Sequence, residues 1–429
     1  RPSQILASLP QALAVLLDPA ECGPAFLALP QDVQSEAYDY PVKFFERQVR
    51  AMRRPHPDPA EIRHAAAAIQ AAKRPLLIAG GGVHYSQAEA ALAAFAERHR
   101  IPVAETIAGR AALPHAHVCN VGSLGGLGAA SANAMASEAD LLIAVGTRLQ
   151  DFSTGSWALF ENPDLRIVTV NAARFDATKH MALPVVADAR IALDVLDEAL
   201  EGFVAPEAWA KLAESRYAAW NAATEARVRA GNDTPVTYAQ TVGAVNRAAR
   251  PGDTVLTAAG GLPGELNMNW RAPALGGVDI EFGYSCMGYE IAGGWGAKLA
   301  NPDHEVFVMV GDGSYLLMNS DILSTVMTGH KLIIVVCDNG GFAVIDRLQR
   351  ASGNASFNNL LSDCRRVRDV KVDFAAHARA MGAHGERVES IADLDAALTR
   401  ARAVDRTSVI AIDVDAYGWT PNEAWWEVG

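Results

Sequence analysis

Short apolar runs alternate with helical periodicity through the middle of the chain. Apolar runs bounded by polar or glycine positions predict buried strands, and positions that repeat at three and four residues predict helices. The predicted strands are Leu76–Ala79, Ile101–Ala104, Leu141–Val145 and Arg166–Val170, and the predicted helices are Glu61–Ala72 and Ala88–Arg98. Strands that are apolar on both faces are typical of parallel sheets. This part of the chain therefore predicts a doubly wound α/β domain.

A second α/β unit follows in the C-terminal half. The apolar runs Val306–Val310 and Lys331–Cys337 predict neighbouring parallel strands, and Ser314–Thr328 predicts one helix between them. Ser408–Val414 predicts a further strand. Gly311-Asp312-Gly313 follows the first strand and Asp338-Asn339-Gly340-Gly341 follows the second. Both turns should therefore lie at the carboxyl ends of their strands, where open α/β sheets bind ligands.

Prolines, glycines and composition divide the chain into five segments. The first segment should contain a helix, Pro2–Leu17, and a strand, Ala25–Leu29, which are too little to bury a core alone. Arg53–Pro59 should be a stiff, exposed linker, and Pro206–Arg229 a crossing helix. The predicted boundaries are residues 1–41, a linker over 42–59, a middle domain over 60–205, a linker helix over 206–235, and a C-terminal domain over 236–429.

Composition narrows the range of partners. The 429 residues have a formal net charge of −12, and without a basic block they do not indicate a nucleic-acid partner. The apolar runs are far shorter than the ~20 residues that a membrane span needs. The five cysteines are scattered without a CxxC motif, which favours a reducing compartment and a cytoplasmic location.

The two glycine turns carry the atoms that a Mg²⁺ ion and a diphosphate require. Mg²⁺ prefers oxygen ligands and usually binds one or two protein groups together with substrate phosphates. Asp312 offers a carboxylate, Asn339 an amide oxygen and Gly341 a backbone carbonyl. Gly313 and Ser314 open a helix whose free N–H groups can face phosphate oxygens. Either turn alone is more often an ordinary turn, but the pair at this spacing favours a metal-bridged diphosphate site.

The middle domain contains a glycine cluster that only partly matches a dinucleotide loop. Leu76–Ala79 runs into Gly80-Gly81-Gly82, but Tyr85 stands where the third glycine of GxGxxG is needed. Close packing of strand and helix is therefore the better interpretation, and FAD is not expected to bind there.

These motifs resemble the fingerprint of thiamine diphosphate enzymes of the acetolactate synthase type. The GDG turn about 25 residues before an NN pair is matched here, except that Asp338 replaces the first Asn. The resemblance implies that Met287 is the apolar wedge between the two cofactor rings and that the Ser285 carbonyl accepts the cofactor amino group. It also implies a Rossmann-like middle domain beside a C-terminal diphosphate-binding domain, both with doubly wound parallel sheets.

The cofactor site that the resemblance implies extends over four segments. The loop after Val255–Thr257 should touch the diphosphate, and Phe342 should complete the site beyond Gly341. The implied metal ligands are Asp312, Asn339 and Gly341. The implied cofactor-binding residues are Gly260, Gly261, Leu262, Ser285, Met287, Gly311, Asp312, Gly313, Ser314, Asn339, Gly341 and Phe342, and the implied catalytic residues are Met287 and Ser285.

Within this family the chain looks most like the subfamily that opens a cyclic 1,2-dione ring in myo-inositol catabolism. The resemblance rests on Leu27–Gln34, Gly283–Glu290, Asp338-Asn339 and Trp425–Gly429. It implies a hydrolase of C–C bonds that converts trihydroxycyclohexane-1,2-dione, a small-molecule substrate, to 5-deoxyglucuronate. Two alternatives stay open, which are a carboligase or 2-oxoacid decarboxylase of the same family and a non-catalytic subunit with this fold.

Family members also carry an N-terminal domain that binds the aminopyrimidine. Only its last strand and exit, Gly23–Val33, are matched here, and the chain starts at Arg1. We therefore expect that this domain is largely absent, that the sequence is a fragment, and that the activating glutamate lies outside it. Residues 1–429 alone should be inactive, and the native enzyme should be a homodimer or homotetramer with its active site at the subunit interface.

Overall fold

Two parallel β-sheets of six strands each form the frame of the structure. The computed structural model describes residues 1–229, 231 and 235–421. Trp425–Gly429, which contributed to the resemblance, lies outside the described residues, as do residues 232–234 of the predicted linker. The predicted pair of doubly wound parallel sheets is confirmed.

The middle sheet has the strand order β3-β2-β1-β4-β5-β6, and every neighbouring pair is parallel. Its strands are Pro75–Ala79 (β1), Val103–Glu105 (β2), Asn120–Ser123 (β3), Leu141–Val145 (β4), Arg166–Asn171 (β5) and Leu183–Val186 (β6). The helices up to the end of this region are Ile5–Leu16 (α1), Gln31–Gln34 (α2), Pro59–Ala71 (α3), Gly81–Tyr85 (α4), Glu89–His99 (α5), Ala130–Glu138 (α6), Asp151–Thr154 (α7), Arg174–Ala177 (α8), Ala189–Ala199 (α9) and Glu207–Val228 (α10).

The C-terminal sheet has the order β11-β12-β10-β9-β7-β8, again parallel throughout. Its strands are Thr254–Thr257 (β7), Val278–Ile280 (β8), Val306–Gly311 (β9), Ile333–Asp338 (β10), His384–Val388 (β11) and Ser408–Asp413 (β12). Its helices are Tyr238–Ala248 (α11), Leu262–Asn269 (α12), Tyr289–Ala300 (α13), Asp312–Leu317 (α14), Asp321–Thr328 (α15), Ala343–Ala351 (α16), Phe374–Ala380 (α17) and Ile391–Ala403 (α18).

Each sheet separates two apolar cores, because alternate residues of a strand point to opposite faces. In the C-terminal sheet, Phe307 and Met309 of β9 belong to one core. Val306, Val308 and Val310 of the same strand belong to the other. All five side chains are fully or almost fully buried. Burial of both faces explains why these strands were visible in the sequence as continuous apolar runs.

A buried ion pair ties the middle sheet to the C-terminal domain. Arg110 pairs with Glu105 at the end of β2, and both side chains are buried. Arg110 Nε also donates to the Asn267 carbonyl at 3.0 Å, and its Nη2 donates to the Trp270 carbonyl at 2.6 Å. These bonds fix α12, the helix that follows the predicted diphosphate loop, against the middle domain.

Two local predictions were wrong. Ala25–Leu29 is not a strand, because it pairs with no other strand in the part of the chain that the structure describes, and Phe26 is 92% exposed. Ser314–Thr328 is two helices, α14 and α15, because the chain leaves helical geometry at Met318 and the Asn319 amide donates back to the Tyr315 carbonyl at 3.2 Å.

The predicted exposed linker Arg53–Pro59 is partly docked. Arg54 pairs with Asp188 at 2.8 Å, and the Asp188 N–H donates to the Pro55 carbonyl. The N-terminal part of the linker is therefore held against the start of α9. Within the described ranges, no helix has the length and apolar character needed to cross a membrane.

Candidate functional site

The segments predicted to form one site come together at one edge of the C-terminal sheet. Strands β10, β9 and β7 are neighbours in the sheet and run parallel. Their carboxyl ends lead into the turn Asp338–Gly341, the turn at Asp312 and the loop Ala258–Gly261, respectively. The sheet therefore brings together residues that lie about 80 positions apart in the sequence, such as Ala258 and Asp338.

Asp312 begins α14 and is the most perturbed carboxylate at this edge. It is only 5% exposed, and no donor among the described residues reaches its Oδ1. Burial and the neighbouring negative charge of Asp338 raise the pKa of Asp312 to about 7, although nearby backbone N–H groups oppose this shift. A buried oxygen without a partner is unfavourable unless a ligand completes its contacts. A cation would satisfy this oxygen and favour the ionised carboxylate.

Asn339 is held with its amide oxygen directed into the turn after β10. Its Nδ2 donates to the Tyr238 hydroxyl at 2.5 Å, and its Oδ1 accepts the Gly341 N–H at 3.1 Å. Tyr238 is buried and stacks on Trp419, with ring centroids 5.0 Å apart. The amide is thus oriented by a rigid aromatic pair, and its oxygen keeps a second lone pair for a ligand.

Gly341 occupies a position that only glycine can occupy. Its φ is +143°, and a Cβ there would lie 2.5 Å from the Asn359 carbonyl oxygen. Two backbone hydrogen bonds hold the segment around Asn359 against the turn. The Phe342 N–H donates to the Asn359 carbonyl at 2.7 Å, and the Leu361 N–H donates to the Gly340 carbonyl at 2.8 Å. The turn that would offer the Gly341 carbonyl is therefore rigidly built.

Asp338, which replaces the usual Asn of the pair, has a different environment. Its Oδ1 accepts the Gly340 N–H at 3.1 Å, and its Oδ2 lies 3.9 Å from Arg387 Nη2. Burial, followed by the nearby Asp413, raises its pKa. These contacts shape the turn, and they place a second acidic group next to Asp312.

Met287 and Phe342 flank the Gly313 position from two sides. A Cβ on Gly313 would lie 2.7 Å from the Phe342 ring and 3.6 Å from the Met287 methyl carbon. Both apolar side chains remain partly exposed, Met287 at 39% and Phe342 at 47%. The structure thus places Met287, the predicted wedge, next to the turn at Asp312, and part of the Met287 surface stays available to a ligand.

The backbone before Met287 is strained and supported. Ser285 has a φ of +53°, which is uncommon for a residue other than glycine, and its hydroxyl donates to the Ala258 carbonyl at 3.4 Å. Glu281 accepts the N–H groups of Tyr284 at 3.0 Å and Cys286 at 2.6 Å. Such local strain persists only where the surroundings enforce it, and it determines the direction of the Ser285 carbonyl.

The loop after β7 has one open glycine and one covered glycine. Gly260 has a φ of +81° and no atom within 4 Å of a Cβ position, whereas the Gly261 position is covered by the Trp419 ring. Leu262 is buried, so its side chain belongs to the core and only its backbone can face a ligand. Gly311 likewise has open space at its Cβ position.

Sequence reasoning missed the residue that connects these segments. Glu290 is 1% exposed and accepts hydrogen bonds from Ala259, Gly288 and Ser314. The Ser314 hydroxyl is therefore directed to Glu290. Tyr238 and Trp419 were missed as well. A charged residue inside a glycine-rich helix was the only signal in the sequence, and it does not reveal which segments converge.

The oxygen donors at this edge suit a hard divalent cation. Across residues 1–229, 231 and 235–421, no group of three or more His, Cys, Asp or Glu side chains is arranged to hold a metal. Asp312, Asn339 and Gly341 instead offer one carboxylate, one amide oxygen and one carbonyl. Mg²⁺ bound together with phosphate oxygens needs only such a partial set.

The glycine cluster of the middle domain is packed against another turn. A Cβ on Gly80 would lie 2.4 Å from the Gly146 carbonyl oxygen, and one on Gly82 would lie 2.6 Å from the Gly146 Cα. The two backbone segments touch where a dinucleotide loop would leave room. Close strand-to-helix packing therefore explains these glycines.

Comparison with known proteins agrees with the site. Residues 62–196 match the family described as thiamine pyrophosphate enzyme, central domain, and residues 264–412 match the C-terminal TPP binding domain of the same enzymes. Among curated proteins, the 3D-(3,5/4)-trihydroxycyclohexane-1,2-dione hydrolase of Geobacillus thermodenitrificans is 37% identical over 464 residues. The 3D-(3,5/4)-trihydroxycyclohexane-1,2-dione hydrolase 2 of Bacillus cereus is 36% identical over 460 residues. The 3D-(3,5/4)-trihydroxycyclohexane-1,2-dione hydrolase of Halalkalibacterium halodurans is 36% identical over 462 residues. Each alignment covers 100% of this chain and 71% of the relative.

Proposed function

We propose that this chain, which belongs to the thiamine pyrophosphate enzyme family, takes part in the hydrolytic ring opening of a cyclic 1,2-dione. The family contains the trihydroxycyclohexane-1,2-dione hydrolases to which the chain is similar. The product would be the open-chain aldehyde acid 5-deoxyglucuronate, as a step of myo-inositol catabolism. The C-terminal TPP binding domain and the identity along the whole chain support this proposal.

The single observation that carries the proposal is the unpartnered oxygen of Asp312. It lies at the strand edge where Asn339 and Gly341 offer two further oxygens. We assign Mg²⁺ to these three residues, and the diphosphate of the cofactor to the open glycines Gly260 and Gly311 and to the N-terminus of α14.

The reaction adds water across one carbon–carbon bond of the ring. One carbonyl carbon of the dione gains the hydroxyl of water and becomes the carboxylic acid, while its neighbour gains a proton and becomes the aldehyde. Thiamine diphosphate, when bound, supplies a carbon nucleophile and an acceptor for the electron pair of the breaking bond. The protein provides position and electrostatics around that chemistry.

Met287 and Ser285 have separate roles in this proposal. The partly exposed Met287 side chain would support the two rings of the cofactor in a bent arrangement, and Phe342 would close the same space from the side of Gly313. The strained backbone at Ser285 would direct its carbonyl at the cofactor amino group. Neither residue needs to titrate, because both act through shape and a fixed dipole.

We also propose that the native enzyme is a homodimer or homotetramer in the cytoplasm, with a neighbouring subunit completing the site. Apolar side chains that remain about half exposed beside the site support this arrangement, since such patches mark interaction surfaces. They are Leu316, Leu317, Ile345 and Leu348. The activating glutamate would come from the pyrimidine-binding domain of the neighbouring subunit.

Product analysis with the intact protein tests the proposed function. The protein is incubated with Mg²⁺, thiamine diphosphate and the cyclic dione, and in parallel with pyruvate. We expect one aldehyde acid per ring and no CO₂ from pyruvate. Release of CO₂, or formation of an acetolactate-type product, would assign a decarboxylase or carboligase instead. Cofactor binding without any turnover would favour a non-catalytic subunit.

A further inference from the structure

Glu290 joins three separate segments of the candidate site through one buried carboxylate. Its Oε1 accepts the Ser314 hydroxyl at 2.8 Å and the Ala259 N–H at 3.3 Å. Its Oε2 accepts the Gly288 N–H at 3.0 Å and also lies 3.0 Å from the Ser314 hydroxyl. The Ser314 oxygen in turn accepts the Gly288 N–H at 3.1 Å. The three donors thus form one closed network.

Local capping of a helix explains only one of these bonds. Glu290 is the second residue of α13, where a carboxylate commonly reaches back to a free backbone N–H, here that of Gly288. Ala259 and Ser314 are 31 and 24 residues away along the chain. The two long-range bonds therefore need a reason beyond the start of the helix.

Each of the three donors directly adjoins a proposed cofactor contact. Ala259 precedes the open Gly260, Gly288 follows Met287, and Ser314 follows Gly313. The Met287 methyl carbon lies 3.6 Å from the Cβ position of Gly313. The Glu290 carboxylate thus links the residue that follows Met287 to the residue that follows Gly313.

The Glu290 side chain is held by hydrogen bonds rather than by an ion pair. Among the described residues, no Lys, Arg or His lies within ion-pair distance of Glu290, although the side chain is 1% exposed. A buried carboxylate without a cation is expensive to desolvate, and one next to an anion-binding site adds repulsion. Stability alone does not explain why such a group occupies this position.

Resting on the proposed function, we infer that Glu290 is a positioning residue for the cofactor. It sets the distance between Met287 and the Asp312 turn by holding Gly288 and Ser314 on one carboxylate. It also takes up the Ser314 hydroxyl, so that Ser314 presents only its backbone N–H to the diphosphate.

Glu290→Gln tests the inference with almost no change in volume. The new amide group would face the N–H of Gly288 or Ala259, so a buried donor would lose its acceptor. We expect the Kd of Mg²⁺–thiamine diphosphate, measured by titration calorimetry on the intact protein, to rise roughly ten-fold, the effect of losing one such bond. Asp188→Asn is the control, since Asp188 is a buried carboxylate at the start of α9 in the middle domain. It should lower thermal stability and leave this Kd unchanged.

A double-mutant cycle separates positioning from general structural damage. If Glu290 acts through Met287, then Glu290→Gln should lower kcat at saturating cofactor about as much as Met287→Ala does, and the double variant should lose little more. If the two losses multiply, the inference is overturned. Ser314→Ala removes the hydrogen bond between the Ser314 hydroxyl and the Glu290 carboxylate. It replaces Glu290→Gln in the test if that variant does not fold. A wild-type Kd in that variant would also overturn the inference.

The outcomes also distinguish this inference from the proposed function. Wild-type protein that binds the cofactor but does not open the dione refutes the function, while the Kd values of the variants still decide the role of Glu290. A Glu290→Gln protein with wild-type Kd and kcat refutes the inference alone. Wild-type protein that binds no thiamine diphosphate overturns both.

Discussion

Both sheets carry glycines at the carboxyl ends of buried strands, but the space around those glycines differs. In the middle sheet, Gly80 and Gly82 lie against Gly146, and a Cβ on either would collide with backbone atoms. In the C-terminal sheet, Gly260 and Gly311 have no atom within 4 Å of their Cβ positions. The same local sequence pattern therefore serves packing in one domain and leaves room for a ligand in the other.

Acidic and amide groups separate the two edges further. The C-terminal edge has Asp312, with an unpartnered buried oxygen, and Asn339, with an amide fixed by Tyr238. A glycine turn therefore indicates a ligand site when open space and an unsatisfied polar atom occur together.

Asp312→Ala should have the largest effect. Asp312 is the only carboxylate in the proposed donor set, so its loss leaves two neutral oxygens for a divalent ion. We expect the affinity for Mg²⁺–thiamine diphosphate to fall by roughly 100-fold or more, which equals about 2.7 kcal/mol. Titration calorimetry measures this loss, and the thermal transition of the protein should not fall. An unchanged Mg²⁺-dependent affinity would show that the site is assigned wrongly.

Asp312→Asn should stabilise the protein when Mg²⁺ and cofactor are absent. The pKa of Asp312 is about 7 in the folded chain, above its ordinary value of 3.8. Between about pH 4 and pH 7 this carboxyl is ionised in the unfolded chain but still protonated in the folded chain. The free energy of unfolding therefore falls over this range, and the full loss is reached above pH 7. Removing the charge should therefore raise the free energy of unfolding by roughly 1–4 kcal/mol at pH 8 and by little near pH 4.

Denaturant unfolding in the presence of a chelator measures this pH dependence. Asp188→Asn is the control, because Asp188 is also buried but pairs with Arg54, so that loss of its charge should destabilise the fold. If the free energy of unfolding changed equally in the two variants, burial of the Asp312 charge would not be unfavourable as described.

Gly82→Ala and Gly311→Ala should give opposite results. A Cβ on Gly82 would lie 2.6 Å from the Gly146 Cα, so we expect a loss of roughly 1–3 kcal/mol in stability from overpacking, with cofactor affinity of the folded protein unchanged. Gly311 has a φ of −75° and open space, so alanine should change stability by less than about 0.5 kcal/mol. Its methyl group would enter the proposed diphosphate space and weaken binding. Thermal unfolding measures the change in stability of both variants, and titration calorimetry measures their cofactor affinity.

Met287→Ala should have the smallest effect on binding. Met287 contacts the Gly313 region from the side and offers no oxygen or N–H to the diphosphate. We expect kcat to fall about ten-fold, which equals about 1.4 kcal/mol in the barrier, while the Kd of the cofactor stays within about two-fold. Equal losses in Kd and kcat would indicate that Met287 holds the cofactor rather than shaping it.

The sequence allowed the sheets to be predicted because most of their strands are buried on both faces. Leu141–Val145 was predicted with its observed bounds, and Val306–Gly311 and Ile333–Asp338 differ from the prediction by one or two residues. Four strands were missed because they are short and contain polar residues or proline, such as Asp279 and Pro184. They are Asn120–Ser123, Leu183–Val186, Val278–Ile280 and His384–Val388. Ala25–Leu29 has the composition of a strand, but composition cannot provide a neighbouring strand.

The site could be predicted only where one short segment carries the signal. Asp312 and Asn339 stand in recognisable turns, and the structure places them at one edge as expected. Glu290 could not be found in this way, because its role depends on three segments that meet only after the sheet has formed. The break at Met318 is accompanied by a bond from the Asn319 side chain to the Tyr315 carbonyl, which competes with a helix that the apolar spacing favours.

The most direct test of the central claim is a crystal structure of the intact protein with Mg²⁺ and thiamine diphosphate bound. We predict that the ion lies about 2.0–2.1 Å from oxygens of Asp312, Asn339 and Gly341, with the diphosphate completing its coordination beside Gly260 and Gly311. An ion coordinated elsewhere, with the Asp312 carboxylate outside its coordination sphere, would contradict the account.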